Sequence, residues 1–402
     1  MNRSGFVDAR PNGTRRIEGS LGPAGAARGH LRIYLGYAPG VGTTCALLSE
    51  GHRRAEHGID VAVAHVETHG RPHSRALLEG LEVIPPVTVL YRGTTVKEMD
   101  LAAVLARRPQ VALVDDFADR NVVGVRHAWR WQDIAVLMAA GIEVISTVRL
   151  DHLDSLADVV AKITGAAPSQ TVPDPVVRAA NEIEMVDLAP ESLRDRMACG
   201  QIYGPREAEA TLGVWFQTGN LSALRELALL WLAATLASDR RRHRPGGHDP
   251  ESGCARERVV VALRGDSDGD VLIRRAARIA ARCGGDLLAV HATRPGGPAG
   301  RHRTVLAAQR QLIESLGGTY HQLADADIPA ALLAFAHAEH ATRLVLGATR
   351  PAWRAALQPM TTITSRVIRQ GGGIGVHVVT CTPTANGGSP RRANPASEGE
   401  WQ

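Results

Sequence analysis

Nine residues from Gly36 to Thr44, GYAPGVGTT, have the types and spacing that suit phosphate chemistry. Glycines at 36, 40 and 42 let a backbone approach an anion closely, and Thr43 and Thr44 lead straight into the helix-like run CALLSEGHRRAEH. A strand, a glycine-rich turn and a helix start aim backbone N–H groups and the positive end of a helix dipole at phosphate. A phosphate-hydrolysing loop of this kind also carries a lysine just before its terminal hydroxyl residue, because the ammonium offsets charge on the β and γ phosphates. Thr43 stands at that place, and Tyr37 replaces the first small residue of the pattern. The loop therefore predicts binding in preference to catalysis, and no catalytic residue is assigned.

A second feature is VALVDD, which ends in Asp115 and Asp116. A carboxylate at the end of an apolar strand can hold magnesium through water, although a plain strand-end acid is the equal rival. The candidate binding set is Gly36, Gly40, Gly42, Thr43, Thr44 and Asp115, with ATP and magnesium as the ligand they would suit. His65, His69 and His73 recur every fourth residue, but Gly70 and Pro72 interrupt any helix that would present them together, so no metal site is expected. The five cysteines have no CxxC spacing and imply neither zinc nor a disulfide framework. Asp151, His152 and Asp154 read as the start of a helix capped by Asp151.

The elements that must position these residues follow an α/β rhythm. Branched runs start at Leu31, Asp60, Val87, Val111 and Ile142, and helical spacing separates them, which predicts a P-loop-like, doubly wound parallel sheet. Five further strands, at Arg258, Asp286, Thr319, Arg343 and Gly375, alternate with four helices and predict a second compact α/β domain. Composition sets the boundaries: a flexible leader over 1–29, a first domain over 30–237, a charged and Pro/Gly-broken linker over 238–257, a second domain over 258–382 and a disordered tail over 383–402.

With 402 residues and a formal charge of only +5, the chain has no dense basic stripe, and the one basic run, Arg240 to Arg244, falls in the linker. Nucleic acid is not an expected partner. The most apolar stretch, Leu227 to Ser238, is too short to cross a bilayer, and the N-terminus has no apolar signal core, so a cytoplasmic protein is expected.

Longer stretches carry a resemblance. ETHGRPHSRALLEGLEVIP from Glu67, RWQDIAVLMAAGIEVISTVRLDHLDSLADVVAKITG from Arg130, VPDPVVRAANEIEMVDLAPESLRDRM from Val172 and GNLSALRELALLWLA from Gly219 resemble, in order, the N-terminal domain of the KdpD sensor kinases. The segment from Arg258 to Thr380 resembles the universal stress protein domain of the same kinases, notably in RIAARCGGDLLAVHATR and VIRQGGGIGVHVVT. The resemblance implies potassium or osmotic sensing in two-component signalling, a sensor kinase or response regulator of the potassium system as partner, and a cyclic dinucleotide such as cyclic di-AMP as a ligand alternative to ATP. ATP-binding universal stress proteins end their first strand on an aspartate and follow the fourth with spaced glycines. Leu263 and Arg264 stand at the first position, and Gly347 is followed by ATRPAWRAALQPMTTITS, without the pattern's second or third glycine. DDFADRN from Asp115 also departs from the family's DELAHxN. The sequence contains no spanning segment and no His-Glu-x-x-x-Pro box, so a regulatory, non-catalytic input module is expected, with a weak ATPase as the alternative.

Overall fold

The computed structural model describes residues 28–68, 71–91, 94–123, 125–202, 215–242, 257–294, 303–348 and 363–380, with the backbone alone for Pro72 and for 237–242. The chain forms two compact units, Met1–Arg32 with Leu47–Ser146 and Ile33–Ala46 with Thr147–Gln402. Among the described residues, no helix is long and apolar enough to cross a membrane.

The first sheet contains β1 (Leu31–Gly36), β2 (Val61–His65), β3 (Glu82–Val83), β6 (Val111–Val114), β7 (Glu143–Arg149) and β8 (Glu182–Val186), in the order β3-β2-β6-β7-β1-β8. Pairing is parallel where β2 meets β3 and β6, and where β6 meets β7. All of β2 and β6 is buried, which is why these strands read as unbroken apolar runs rather than alternating ones. Helices α1 (Thr43–Glu56), α2 (Pro72–Ala76), α3 (Leu101–Arg107) and α4 (Arg130–Ala139) follow the predicted periodicity.

One predicted strand joins a different sheet. The run at Val87 forms β4 (Val87–Tyr91), which pairs antiparallel with β5 (Thr94–Glu98) in a hairpin of its own. Pro85 and Pro86 explain the departure, because they cannot donate to a ladder and so end the parallel pairing that β3 begins.

Past β7 the chain makes two 3-10 turns, Leu150–His152 and Asp154–Leu156, before α5 (Ala157–Thr164). The helix therefore starts later than the sequence suggested, and Asp151 does not cap it: its carboxylate is held instead by Arg149, at 3.0 and 2.8 Å. Helices α6 (Asp174–Arg178), α7 (Pro190–Ala198) and α8 (Thr218–Arg242) follow. Leu221, Leu224, Ala228, Trp231 and Thr235 are buried at intervals of three and four, giving α8 one apolar stripe, and the helix continues to Arg242.

The second sheet contains β9 (Arg258–Leu263), β10 (Asp286–Thr293), β11 (Thr319–Ala324), β12 (Arg343–Ala348) and β13 (Gly375–Thr380), all parallel, in the order β11-β10-β9-β12-β13. This is a doubly wound order that reverses at β9. The period of two along β9 divides the core: Val259, Val261 and Leu263 pack with Leu272, Ile273 and Ile313, from α9 (Gly269–Cys283) and α10 (Arg303–Ser315). Val260 packs on the other face with Leu332, Leu333 and Val367, from α11 (Ile328–Ala338) and α12 (Ile363–Gln370). Each of these branched side chains contributes about 1.5–3 kcal/mol on burial.

Candidate functional site

The glycine-rich loop runs from the end of β1 into α1. Gly40 (φ 85°) and Gly42 (φ 110°) both occupy the left-handed half of backbone space, where a side chain is strained. At Gly40 a Cβ would also meet Ile202 Cδ1 at 2.3 Å, and at Gly36 one would meet side-chain methyls of Val41 and Thr43 at 2.9 Å. Thr43 is the first helical residue, and Ala46 N donates to Gly42 O at 2.9 Å, so the loop closes onto the helix N-terminus as the sequence predicts.

The departures in the loop have structural partners. Tyr37 is fully buried, and its hydroxyl donates to Leu188 O at 2.6 Å. Burial, then the nearby Asp187 carboxylate, push its phenol up to about 12. No cation stands at position 43, but Arg196 of α7 reaches the loop, with its Nη1 3.5 Å from Gly40 O. The loop is thus lined by residues 188–202, a segment that sequence pattern did not associate with it.

Asp115 lies at the end of β6 and is 2% exposed. Its N–H donates to His65 O at 2.8 Å and its carbonyl accepts from Arg130 Nη1 at 3.5 Å. Arg130 also reaches Glu98 Oε2 at 3.3 Å and Asp119 Oδ2 at 3.4 Å. His65 is buried beside this group without a hydrogen-bond partner for Nε2, and burial together with Arg130 brings its imidazole down to about 3. His65 is therefore neutral, with the Arg130 cation nearby and Glu67 Oε1 3.9 Å from its Nε2. His69 lies outside the described residues, and no group of metal-ligating side chains occurs among those described. The described contacts bring Gly36, Gly40, Gly42, Thr43 and Thr44 into one loop and place Asp115 with His65 and Arg130.

A roomy cavity belongs to the second sheet. It has a volume of about 940 Å³ and opens at the carboxyl ends of β9, β10, β11 and β12, where open α/β sheets take ligands. Arg264, Arg294, Arg303 and Arg310 line it, and no carboxylate does among the described residues. Arg264 and Arg294 each follow the end of a strand, while Arg303 and Arg310 are two turns apart on one face of α10. Arg310 shares its charge with Glu314, at 2.7 Å. Arg264 donates to Gly347 O and so joins the ends of β9 and β12.

The polar floor is defined as well. His291 is buried, and its Nδ1 lies 2.9 Å from Leu263 O. A carbonyl only accepts, so Nδ1 carries hydrogen. Tyr320 and Gln322 project from one face of β11, joined at 3.2 Å, and Leu306, Leu332 and Leu346 supply apolar wall. A cavity with cationic groups, an imidazole and apolar walls suits a ligand with anionic groups and a flat body. Apart from Arg264, the sequence reading did not single out these residues. The only signal was the i, i+7 spacing of Arg303 and Arg310, which is faint in an arginine-rich chain.

Comparison with known proteins bears on both parts. A family model described as KdpD, osmosensitive K+ channel His kinase sensor domain, matches residues 27–236. The sensor protein KdpD of Mycobacterium tuberculosis is 46% identical over 368 residues, covering 92% of this chain and 43% of that protein. That of Escherichia coli K12 is 39% identical over 352 residues, 86% of this chain and 39% of its own length. A putative sensor protein KdpD of Synechocystis is 39% identical over 272 residues, 67% of this chain and 72% of its own. The chain spans less than half the length of the first two relatives. Among solved structures, a universal stress protein in complex with cAMP covers 32% of the chain at 22% identity, with a TM-score of 0.27.

Proposed function

The chain belongs to the KdpD family of osmosensitive K+ channel His kinase sensor domains, and from that membership we propose that it acts as a cytoplasmic input module of potassium or osmotic two-component signalling. In this reading it binds an anionic nucleotide and reports the bound state to a sensor kinase or response regulator of the potassium system. Residues 30–237 form the family's sensor domain, 238–257 the linker and 258–382 the stress-protein-like domain.

The observation that carries the nucleotide part is the cavity of about 940 Å³ lined by Arg264, Arg294, Arg303 and Arg310, with no carboxylate lining it among the described residues. Four arginines on one opening, with Arg310 sharing its charge with Glu314, leave a cationic surface that an anion neutralises. Magnesium ATP and cyclic di-AMP are the candidate ligands.

Thermal unfolding with magnesium ATP, ADP and cyclic di-AMP in turn tests this, since a ligand that prefers the native state raises the midpoint. One of them should raise it, and Arg303→Ala with Arg310→Ala should lower that ligand's affinity about tenfold or more and flatten its salt dependence. A midpoint unmoved by all three retires the nucleotide and leaves partner binding.

A second reading, a weak ATPase at Gly40, Gly42 and Thr44, is favoured by one observation, the reach of Arg196 to the loop. An arginine there offers charge in place of the lysine that Thr43 replaces. Hydrolysis that is measurable in the native chain and lost in Arg196→Ala would support it. Absence of turnover in both the native chain and Thr43→Lys would remove it.

A further inference from the structure

Helix α10 touches two places. Near its start Arg303, Leu306, Ala307 and Arg310 line the arginine-rich cavity, and at its last residue the Ser315 hydroxyl lies 3.2 Å from Asp154 Oδ2 and 2.8 Å from Leu312 O. Thirteen residues give a rod of about 20 Å between the two ends.

The rod is seated firmly. Gln309 is fully buried and donates to Asp266 O at 2.7 Å, and a Cβ on Gly269 would meet its Nε2 at 2.1 Å. Glycine at the start of α9 therefore lets α10 pack against it with no slack, and close-packed contacts transmit displacement instead of absorbing it.

At the far end, Asp154 is the centre of a buried clasp. Thr171 Oγ1 donates to its Oδ1 at 3.2 Å, and Arg274 Nη2 of α9 lies 3.6 Å from the same oxygen. Arg278, one turn on, holds Ser155 O and Asp158. Ser155 N and Oγ donate to Asp174 at 2.8 and 2.7 Å, and Trp231 of α8 donates to Asp174 Oδ2 at 2.7 Å. The single proton of the Ser315 hydroxyl serves either Asp154 or Leu312 O, which makes this contact an alternative between two states.

We propose that α10 couples occupancy of the arginine-lined cavity to the Asp154 clasp, with Ser315 as the contact that engages or releases it, so that segment 150–178 reads the state of the cavity. The proposal rests on that cavity being the ligand site, and it assigns the route by which a ligand there acts on the sensor-domain segment. Two places and a common rigid element are what such a coupling requires.

Hydrogen exchange of the full chain tests it in two arms. In the first, magnesium ATP and cyclic di-AMP are added separately. In the second, Ala307→Trp fills the open cavity from α10 without any ligand. Exchange in 303–315 and in 150–178 should change together, by about fivefold or more at 150–178, in keeping with ordinary coupling strengths. Ser315→Ala should keep the response at 303–315 and erase the one at 150–178, and Arg274→Gln should do the same from the other side. An Ala307→Trp chain whose 150–178 amides exchange as in the native chain overturns the coupling, as does a response there that survives Ser315→Ala. If neither nucleotide alters 303–315, the ligand reading fails by itself, and the Ala307→Trp arm still decides the coupling.

Discussion

The Tyr37 hydroxyl donates a 2.6 Å hydrogen bond to the Leu188 carbonyl, 151 residues away in the chain. The residue that breaks the phosphate-loop pattern is thus a tether between that loop and the turn before α7. Asp187, next to Leu188, is held by Arg225 at 2.7 Å, so the tether ends on a residue whose neighbour is itself anchored to α8.

Replacing Tyr37 with Phe keeps the ring and leaves a carbonyl without its donor. The cost should be about 1–2 kcal/mol, read as a lower urea midpoint with unchanged slope. An unchanged midpoint would mean that the tether contributes nothing.

Gly40→Ala meets two obstacles, the left-handed φ of 85° and the Ile202 side chain. The expected loss is about 1–3 kcal/mol. Adding Ile202→Ala to Gly40→Ala should recover the steric part and leave the backbone part, so a double-mutant cycle in denaturant should show a favourable interaction term.

His65 should make stability fall in mild acid. Its folded imidazole is depressed to about 3 from 6.5, so the neutral ring favours the fold above pH 6.5, and that contribution is lost as pH falls toward 3. The unfolded chain takes up a proton that the folded one refuses, which gives a slope of up to about 1.4 kcal/mol per pH unit. Stability measured from pH 7 to 4 should lose this slope in His65→Gln.

Glu50 acts in a lower window. Arg53 bonds its carboxylate at 2.7 Å, Arg54 at 2.8 Å and Arg32 at 3.3 Å, and these contacts, led by Arg53, bring it down to about 2 from 4.5. Its contribution is complete above pH 4.5 and disappears as pH falls toward 2. Glu50→Gln should lower stability at pH 7 and flatten the acid limb only below 4.5, leaving the His65 slope in place.

The second sheet was legible almost element for element. Its strands begin where branched runs begin, and helices alternate with them, because a core on both faces of a parallel sheet demands patterns that are local in the chain. The glycine-rich loop was legible for a similar reason, since turn, glycine and helix start are contiguous. The hairpin at Val87 was not. Its residues suit a strand in any sheet, and only Pro85 and Pro86 bore on which one.

By itself the sequence determined the α/β class, the second sheet's succession of elements, the loop with Thr43 where a lysine would stand, and the family likeness. All of these depend on residues that are neighbours in the chain or on long collinear runs. Tertiary structure alone decided that Arg264, Arg294, Arg303 and Arg310 open on one cavity, that Arg264 meets Gly347, and that Ser315 and Arg274 meet at Asp154. The physical reason is that an arginine's role is set by which charges share its space. Residues 264 and 310 come to line one cavity only after parallel strands have paired and helices have packed across them, and no local pattern encodes that.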